Sequence, residues 1–253
     1  MTYDIYVEYV GYICSVKKLG GFKSNPKYTY MLEHVSKGHG QAYLECIINN
    51  TNITIAEIVE FCAINDANGD PNKVKYNEFP ETVSVSPSSL RYIYHTHLIL
   101  SHMISIGGSV DAAAMDIVEV GGGYGGLCLA VHHFAPKYGV RINSYTICDL
   151  TNINRLQQLY LNHVNPYIKV EFVDAATYGA NIPRDNMFLI SNYCFSEIGE
   201  SHQALYRQKL LPKISHGFLA WNGIPVYDLG FGHLRVEPEI PHTGGKFNKY
   251  VYF

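Results

Sequence analysis

In the stretch Asp116-IVEV-GGGYGG-LCLAV, a short β-branched run leads into six positions of which five are glycine, and an apolar helical stretch follows. No other segment limits the possible folds as tightly. Glycines let a backbone turn sharply and approach a ligand closely. Free amides at the start of the following helix can meet negative groups. A strand, glycine loop and helix in this order form the opening unit of an open α/β sheet, whose ligands sit at the C-terminal ends of its strands.

The remainder of the C-terminal part repeats the alternation. Ile142-NSYTIC, Ile168-KVEFV, Met187-FLIS and Gly217-FLAW read as strands, with helices over 126–133 and 152–161. This predicts an α/β, Rossmann-like domain over 109–253 with a mostly parallel sheet. The tail from Leu234 to Phe253, with His242-Thr243-Gly244-Gly245 inside it, suits a terminal antiparallel hairpin.

Residues 1–108 read as a mainly helical N-terminal extension. Tyr30, Leu32 and Val35, then Tyr43, Leu44, Ile47 and Ile48, recur at helical spacing, broken by Gly38 and Gly40. Thr54 with Glu57 forms a capping box ahead of Ile58, and Ser86-Pro87 opens a helix running to Ile106. A polar loop, 65–81, lies between them.

Composition narrows the partners. The net charge of −3 and the absence of a dense Lys/Arg run argue against nucleic acid. The first residues show neither a basic n-region nor a long apolar run, so neither a signal peptide nor a spanning helix is expected, and the default location is cytoplasmic. Six cysteines without a CxxC pair read as reduced, buried thiols, and the twelve histidines form no metal-ligand spacing. No metal site is predicted, although a divalent ion at the acidic 65–71 loop stays open.

Gly121, Gly123 and Gly126 satisfy the dinucleotide fingerprint as well, so the glycines alone fit NAD or S-adenosylmethionine. Glu119 separates the two. A carboxylate at the end of the first strand attracts the ammonium of a methionine moiety and repels a pyrophosphate; its alternative role is to cap loop amides. Asp149 ends the second strand, where it can accept both ribose hydroxyls or sit at a helix N-terminus beside Thr151. Asp174 ends the third, facing the adenine amino group or capping a loop. Tyr124, Leu150 and Ala175 adjoin these positions and join the cofactor set.

After the fourth strand come Asn192, Tyr193, Ser196 and Glu197. Glu197 is the leading candidate for a general base, with Tyr193 and His202 as further catalytic candidates and His95 and His233 as rivals. Asn192 is assigned to the cofactor.

Taken together, Asp116-IVEVGGGYGGL, Tyr145-TICDL, Leu189-ISNYCFSEI, Ser86-PSSLRYI, Ser24-NPKYTYMLEHV and Gly40-QAYLECI resemble the sugar O-methyltransferase family of class I S-adenosylmethionine-dependent methyltransferases, across roughly Lys23 to Gly223. The resemblance implies a seven-stranded sheet, S-adenosylmethionine as donor, and a sugar hydroxyl on a glycan or a nucleotide-linked sugar, such as a deoxyhexose, as acceptor. It matches Glu119, Gly121, Gly123 and Gly125 to the first cofactor motif, Asp149 to the ribose carboxylate and Asp174 to the adenine-side acid. The N-terminal extension becomes a lid contributing to the acceptor site. Arg91 joins the cofactor set, holding the methionine carboxylate or else an acidic sugar phosphate bidentately, or is a solvated surface charge. The loop from Asn65 to Pro71 departs from the family pattern. Two other readings remain from the residues themselves: a nicotinamide-dependent sugar oxidoreductase, and a glycan-binding module using some of the 21 tyrosines.

Overall fold

The computed structural model describes residues 3–107 and 114–253. It divides into two compact units, one comprising Met1–Leu98, Gly123–Phe134 and Arg155–Ile168, the other Ile99–Gly122, Ala135–Asn154 and Lys169–Phe253. The boundary expected at Gly108 and Ser109 lies outside the described residues.

The second unit holds the whole sheet. Its strands are β1 (Ala114–Val120), β2 (Arg141–Asp149), β3 (Glu171–Asp174), β4 (Met187–Asn192), β5 (Ile214–Trp221), β6 (Arg235–Pro238) and β7 (Lys249–Tyr252). They form one seven-stranded sheet in the order β3-β2-β1-β4-β5-β7-β6. β1 to β5 run parallel, and β7 runs antiparallel to both neighbours. This is the expected Rossmann-like, mostly parallel seven-stranded sheet, with the antiparallel tail hairpin in place.

The last four residues of β1 and the last five of β5 are all buried, as parallel strands covered on both faces require. Val118, Val120, Leu189, Leu219, Trp221 and Val251 anchor one core, against which Phe195, Tyr206 and Leu210 pack. β3 starts at Glu171, three residues later than the apolar run from Ile168 predicts. It is an edge strand that pairs only with Thr146 to Asp149 of β2, so its length follows the partner rather than the sequence.

The first unit contains the helices α1 (Tyr3–Val16), α2 (Pro26–Thr29), α3 (Lys37–Asn50) and α4 (Ile55–Asn65), and the N-terminal part of α5 (Pro87–Gly107). It also contains α6 (Gly126–Phe134) and most of α7 (Thr151–Val164); α8 (Glu200–Lys209) belongs to the second unit. The capping box is present as read: Thr54 accepts from the Glu57 amide while Glu57 accepts from the Thr54 amide.

Two helical expectations are corrected. Residues 30–36 are not helical: α2 ends at Thr29, Glu33 takes a left-handed φ of 61°, and the Ser36 side chain caps the start of α3. α3 then runs through Gly38 and Gly40 instead of breaking there. Gly40 serves close packing, since a Cβ on it would lie 2.1 Å from Tyr76 Oη and 2.9 Å from Pro87 Cβ.

All six cysteines are free thiols; Cys62, Cys128 and Cys148 are buried, but Cys14, Cys46 and Cys194 are only partly so. Among the described residues no helix is long and apolar enough to cross a membrane.

Candidate functional site

The chain order reverses between β1 and β4, the switch point where an open parallel sheet leaves a crevice at its C-terminal edge. Glu119 sits here, 1% exposed. Its Oε2 accepts a hydrogen bond from Tyr145 Oη of β2 at 2.8 Å. Burial raises its carboxyl to about 7; the Tyr145 bond opposes this and nearby Asp149 adds to it. Such a group is poised to ionise when a cation arrives.

Gly121 follows with φ 78°, its amide donating to Cys148 O at 3.1 Å. The loop amide at this position is therefore satisfied by main chain, not by Glu119. Ser191 Oγ, at the end of β4, donates to Val120 O and accepts from the Phe195 amide, fixing the ends of both strands together.

β2 and β3 end in register, Asp149 opposite Asp174. Asp149 Oδ1 accepts from the Leu150 amide at 2.8 Å, and Asn154 Nδ2 donates to the carbonyls of both Asp149 and Val173, tying the two strand ends. Asp174 caps the short turn from Ala175, accepting from the Ala176 amide and the Thr151 hydroxyl. The Thr151 bond, then the amide, hold its carboxyl below the usual range. The capping role considered for Asp174 is thus realised, and its carboxylate stays ionised and exposed.

Past β4, Asn192 closes the strand and Tyr193 takes φ 59°. The Tyr193 hydroxyl donates to Glu239 Oε1 at 2.5 Å, so it is committed to the connection between β6 and β7. Asn222 brackets the next turn: its Oδ1 accepts from Ser196 Oγ at 2.7 Å, and its Nδ2 donates to Glu197 Oε1 at 2.5 Å. Glu197 is exposed. His202, on α8, stacks on Tyr178 and shares a 2.9 Å hydrogen bond with its hydroxyl. His233 is exposed.

In the first unit, Gly123 and Gly125 take φ values of 57° and 96°. The Tyr124 side chain between them is wholly buried, so what it offers a ligand is main chain. Its hydroxyl meets Asn65, and Lys23 Nζ lies 4.0 Å above its ring. Tyr160 Oη donates to Asn65 Oδ1, and Lys23 Nζ to Asn65 O. Arg91 lies beside the Tyr92 ring; burial raises the carboxyl of Glu33, and Arg91, after Lys23, opposes that rise. His95 is fully buried, which pushes its imidazole well below its ordinary value. The acids of the 65–71 loop are engaged: Asp66 accepts from the Ser86 amide and Ser89 Oγ, and Asp70 from the Gly21 amide. Among the described residues no group of three or more His, Cys, Asp or Glu is placed to hold a metal ion.

No family model matches the chain, and neither does any curated protein. Solved structures do. The chain is similar to an S-adenosylmethionine-dependent methyltransferase from Aquifex aeolicus (16% identity, 62% of this chain and 90% of that one, TM-score 0.42). It is similar to the CMeT domain of the citrinin polyketide synthase (13% identity, 66% and 53%, TM-score 0.48). A third is the mitomycin 7-O-methyltransferase (14% identity, 66% and 56%, TM-score 0.40). The matches span about half the length of several of these proteins.

Three residues of the sheet edge carried no sequence signal. Tyr145 looks like one apolar residue of a strand, and only pairing beside β1 brings its hydroxyl to Glu119. Asn222 follows β5 and reaches the turn after β4 across a strand pair. Glu239 collects Tyr193, Thr243 and Asn248, partners that only the folded tail assembles.

Proposed function

We propose that the chain is an S-adenosylmethionine-dependent O-methyltransferase whose acceptor is a sugar hydroxyl. The observation that carries the donor is the row of carboxylates Glu119, Asp149 and Asp174 at the C-terminal ends of three adjacent parallel strands, with left-handed Gly121 beside the first. Such a row opposes the pyrophosphate of a nicotinamide dinucleotide and favours a ligand bearing ammonium and sulfonium charges.

The residues fit that ligand. Gly121 turns left-handed at the end of β1, and buried Glu119 has a neutral donor, Tyr145, and an acid, Asp149, as its neighbours, so an arriving ammonium would find a carboxylate without a countercharge from either. Glu119 would hold the ammonium, Asp149 the ribose hydroxyls, and Asp174 with Ala175 the adenine side, with Leu150 and Asn192 beside them. The bound donor supplies a methyl group on a positively charged sulfur. Glu197 would take the proton of the attacking hydroxyl, held in place by Asn222. His202 is the second candidate for that proton. The sugar class of the acceptor is supported by the family resemblance of the motifs.

Calorimetry with S-adenosylhomocysteine and NADH tests the donor. Tighter binding of S-adenosylhomocysteine is expected, and equal or weaker binding overturns the reading. Mass spectrometry on rhamnose- or fucose-containing acceptors then tests for methyl transfer, with a gain of one methyl group per acceptor expected.

A further inference from the structure

Within the first unit a cleft of about 370 Å³ opens between the 29–37 corner and the start of α5. Its volume is at the small end for ligand sites. Its walls carry Glu33, His34, Lys37, Asn72, Ser86 and Ser88. The antiparallel bridge between Val74 and Val85 closes the intervening loop and sets Asn72 and Ser86 on the same wall.

Glu33 is the unusual member. It is held in the left-handed region at φ 61°, which few non-glycine residues adopt. Its Oε2 accepts from Ser86 Oγ at 3.4 Å, whereas Oε1 is buried with no hydrogen-bond partner. A buried acceptor left open is destabilising, more so if charged. A ligand able to donate there recovers that cost.

The surrounding charges define the donor. Burial raises the Glu33 carboxyl; Lys23 and Arg91 oppose that rise, Asp66 adds to it, and Lys37 stands on the cleft wall. With three cations around two carboxylates, a further ammonium is repelled. A hydroxyl is not. We propose that this cleft binds a neutral polyhydroxylated ligand of monosaccharide size, one of whose hydroxyls donates to Glu33 Oε1 while Lys37, His34 and Asn72 donate to its other oxygens. Its binding is measured without any methyl transfer.

The probe is methyl α-L-rhamnopyranoside, titrated into the 15N-labelled protein. Saturable shifts of the Asn72, Ser86 and Ser88 amides are expected. Glu33→Gly suits the left-handed backbone, and with Glu33→Gln it should weaken binding by about tenfold or more. Absence of saturable shifts at these amides, unchanged affinity in both variants, or tighter binding of n-butylammonium would each overturn the proposal. S-adenosylhomocysteine affinity is measured in parallel. Its absence, with rhamnoside binding intact, defeats the methyltransferase reading while leaving the cleft assignment standing.

Discussion

The side chain of Cys194 occupies the space beside Gly121: a Cβ on this glycine would lie 2.3 Å from Cys194 Sγ and 2.4 Å from its Cβ. Gly121 also needs its φ of 78°. Gly121→Ala should therefore cost about 1–2 kcal/mol in backbone strain and about 1–3 kcal/mol in overpacking, and abolish cofactor-loop binding. Cys194→Gly in the same background should recover the packing part only, whereas Cys194→Ala removes the sulfur but keeps the carbon at 2.4 Å and should recover little. Denaturant unfolding of wild type, Gly121→Ala, Cys194→Gly and the double variant measures this coupling. Strict additivity would show that the contact carries no energy.

Glu119 makes a pH prediction. Its folded pKa, about 7, lies above its ordinary 4.5. Between these values the unfolded chain has lost the proton and the folded one has kept it. The stability that Glu119 contributes is therefore complete below about 4.5 and lost as pH rises to about 7, a difference on the order of 3 kcal/mol. Glu119→Gln should flatten this part of the profile and be the more stable form at neutral pH. Affinity for S-adenosylhomocysteine should rise with pH through the same window in the wild type, since its ammonium needs the ionised carboxylate, and be low and flat in the variant. A pH-independent wild-type affinity would remove Glu119 from the ammonium site.

For the proton of the attacking hydroxyl, Glu197→Gln should lower kcat by about 10²-fold or more with cofactor affinity nearly unchanged. Asn222→Ala should lower kcat less, because the carboxylate remains but loses the 2.5 Å bond that orients it. Tyr193→Phe should have little effect on chemistry, given that its hydroxyl is turned to Glu239. If His202→Ala rather than Glu197→Gln abolishes turnover, the assignment passes to the histidine.

What the sequence discloses here is what is encoded locally. The Thr54 and Glu57 box, Pro87 at the first turn of α5, and the strand-to-glycine transition at Val120 all depend on neighbours a few residues away, and each is realised. Helical spacing misled at Tyr30 to Val35, where Glu33 is left-handed and its carboxyl meets Ser86, 53 positions away. Asn65 reads as the first residue of a polar loop. In the fold it is 1% exposed and joins Ser89, Tyr124, Tyr160 and Lys23, none of which its local sequence reveals. The carboxylate row was legible because Glu119, Asp149 and Asp174 each sit at the end of their own strand. The partners that orient those acids were not.

Lys23 supplies the last prediction, one of opposite sign to that of Glu119. It is fully buried, donates to Asn65 O at 2.6 Å and lies 4.0 and 4.7 Å from the ring centres of Tyr124 and Tyr160. Burial brings its ammonium down to about 8 from 10.5; Glu33 and Asp66 oppose the fall and Lys73 adds to it. Below about pH 8 both folded and unfolded states carry the proton, and the folded state bears the full desolvation cost. From about 8 to 10.5 the folded state has released its proton while the unfolded chain still holds it, so this contribution to stability rises through that window by an amount on the order of 3 kcal/mol. Buried Tyr92, Tyr124 and Tyr160, all raised by burial, contribute the reverse slope at high pH. The quantity to measure is therefore the difference between wild type and Lys23→Met, in which those tyrosines largely cancel. That difference should move in favour of the wild type as pH climbs from 8 to 10.5. A difference that stays constant across this range would mean that Lys23 keeps its proton in the fold, with Glu33, Asp66 and the two rings together outweighing its burial.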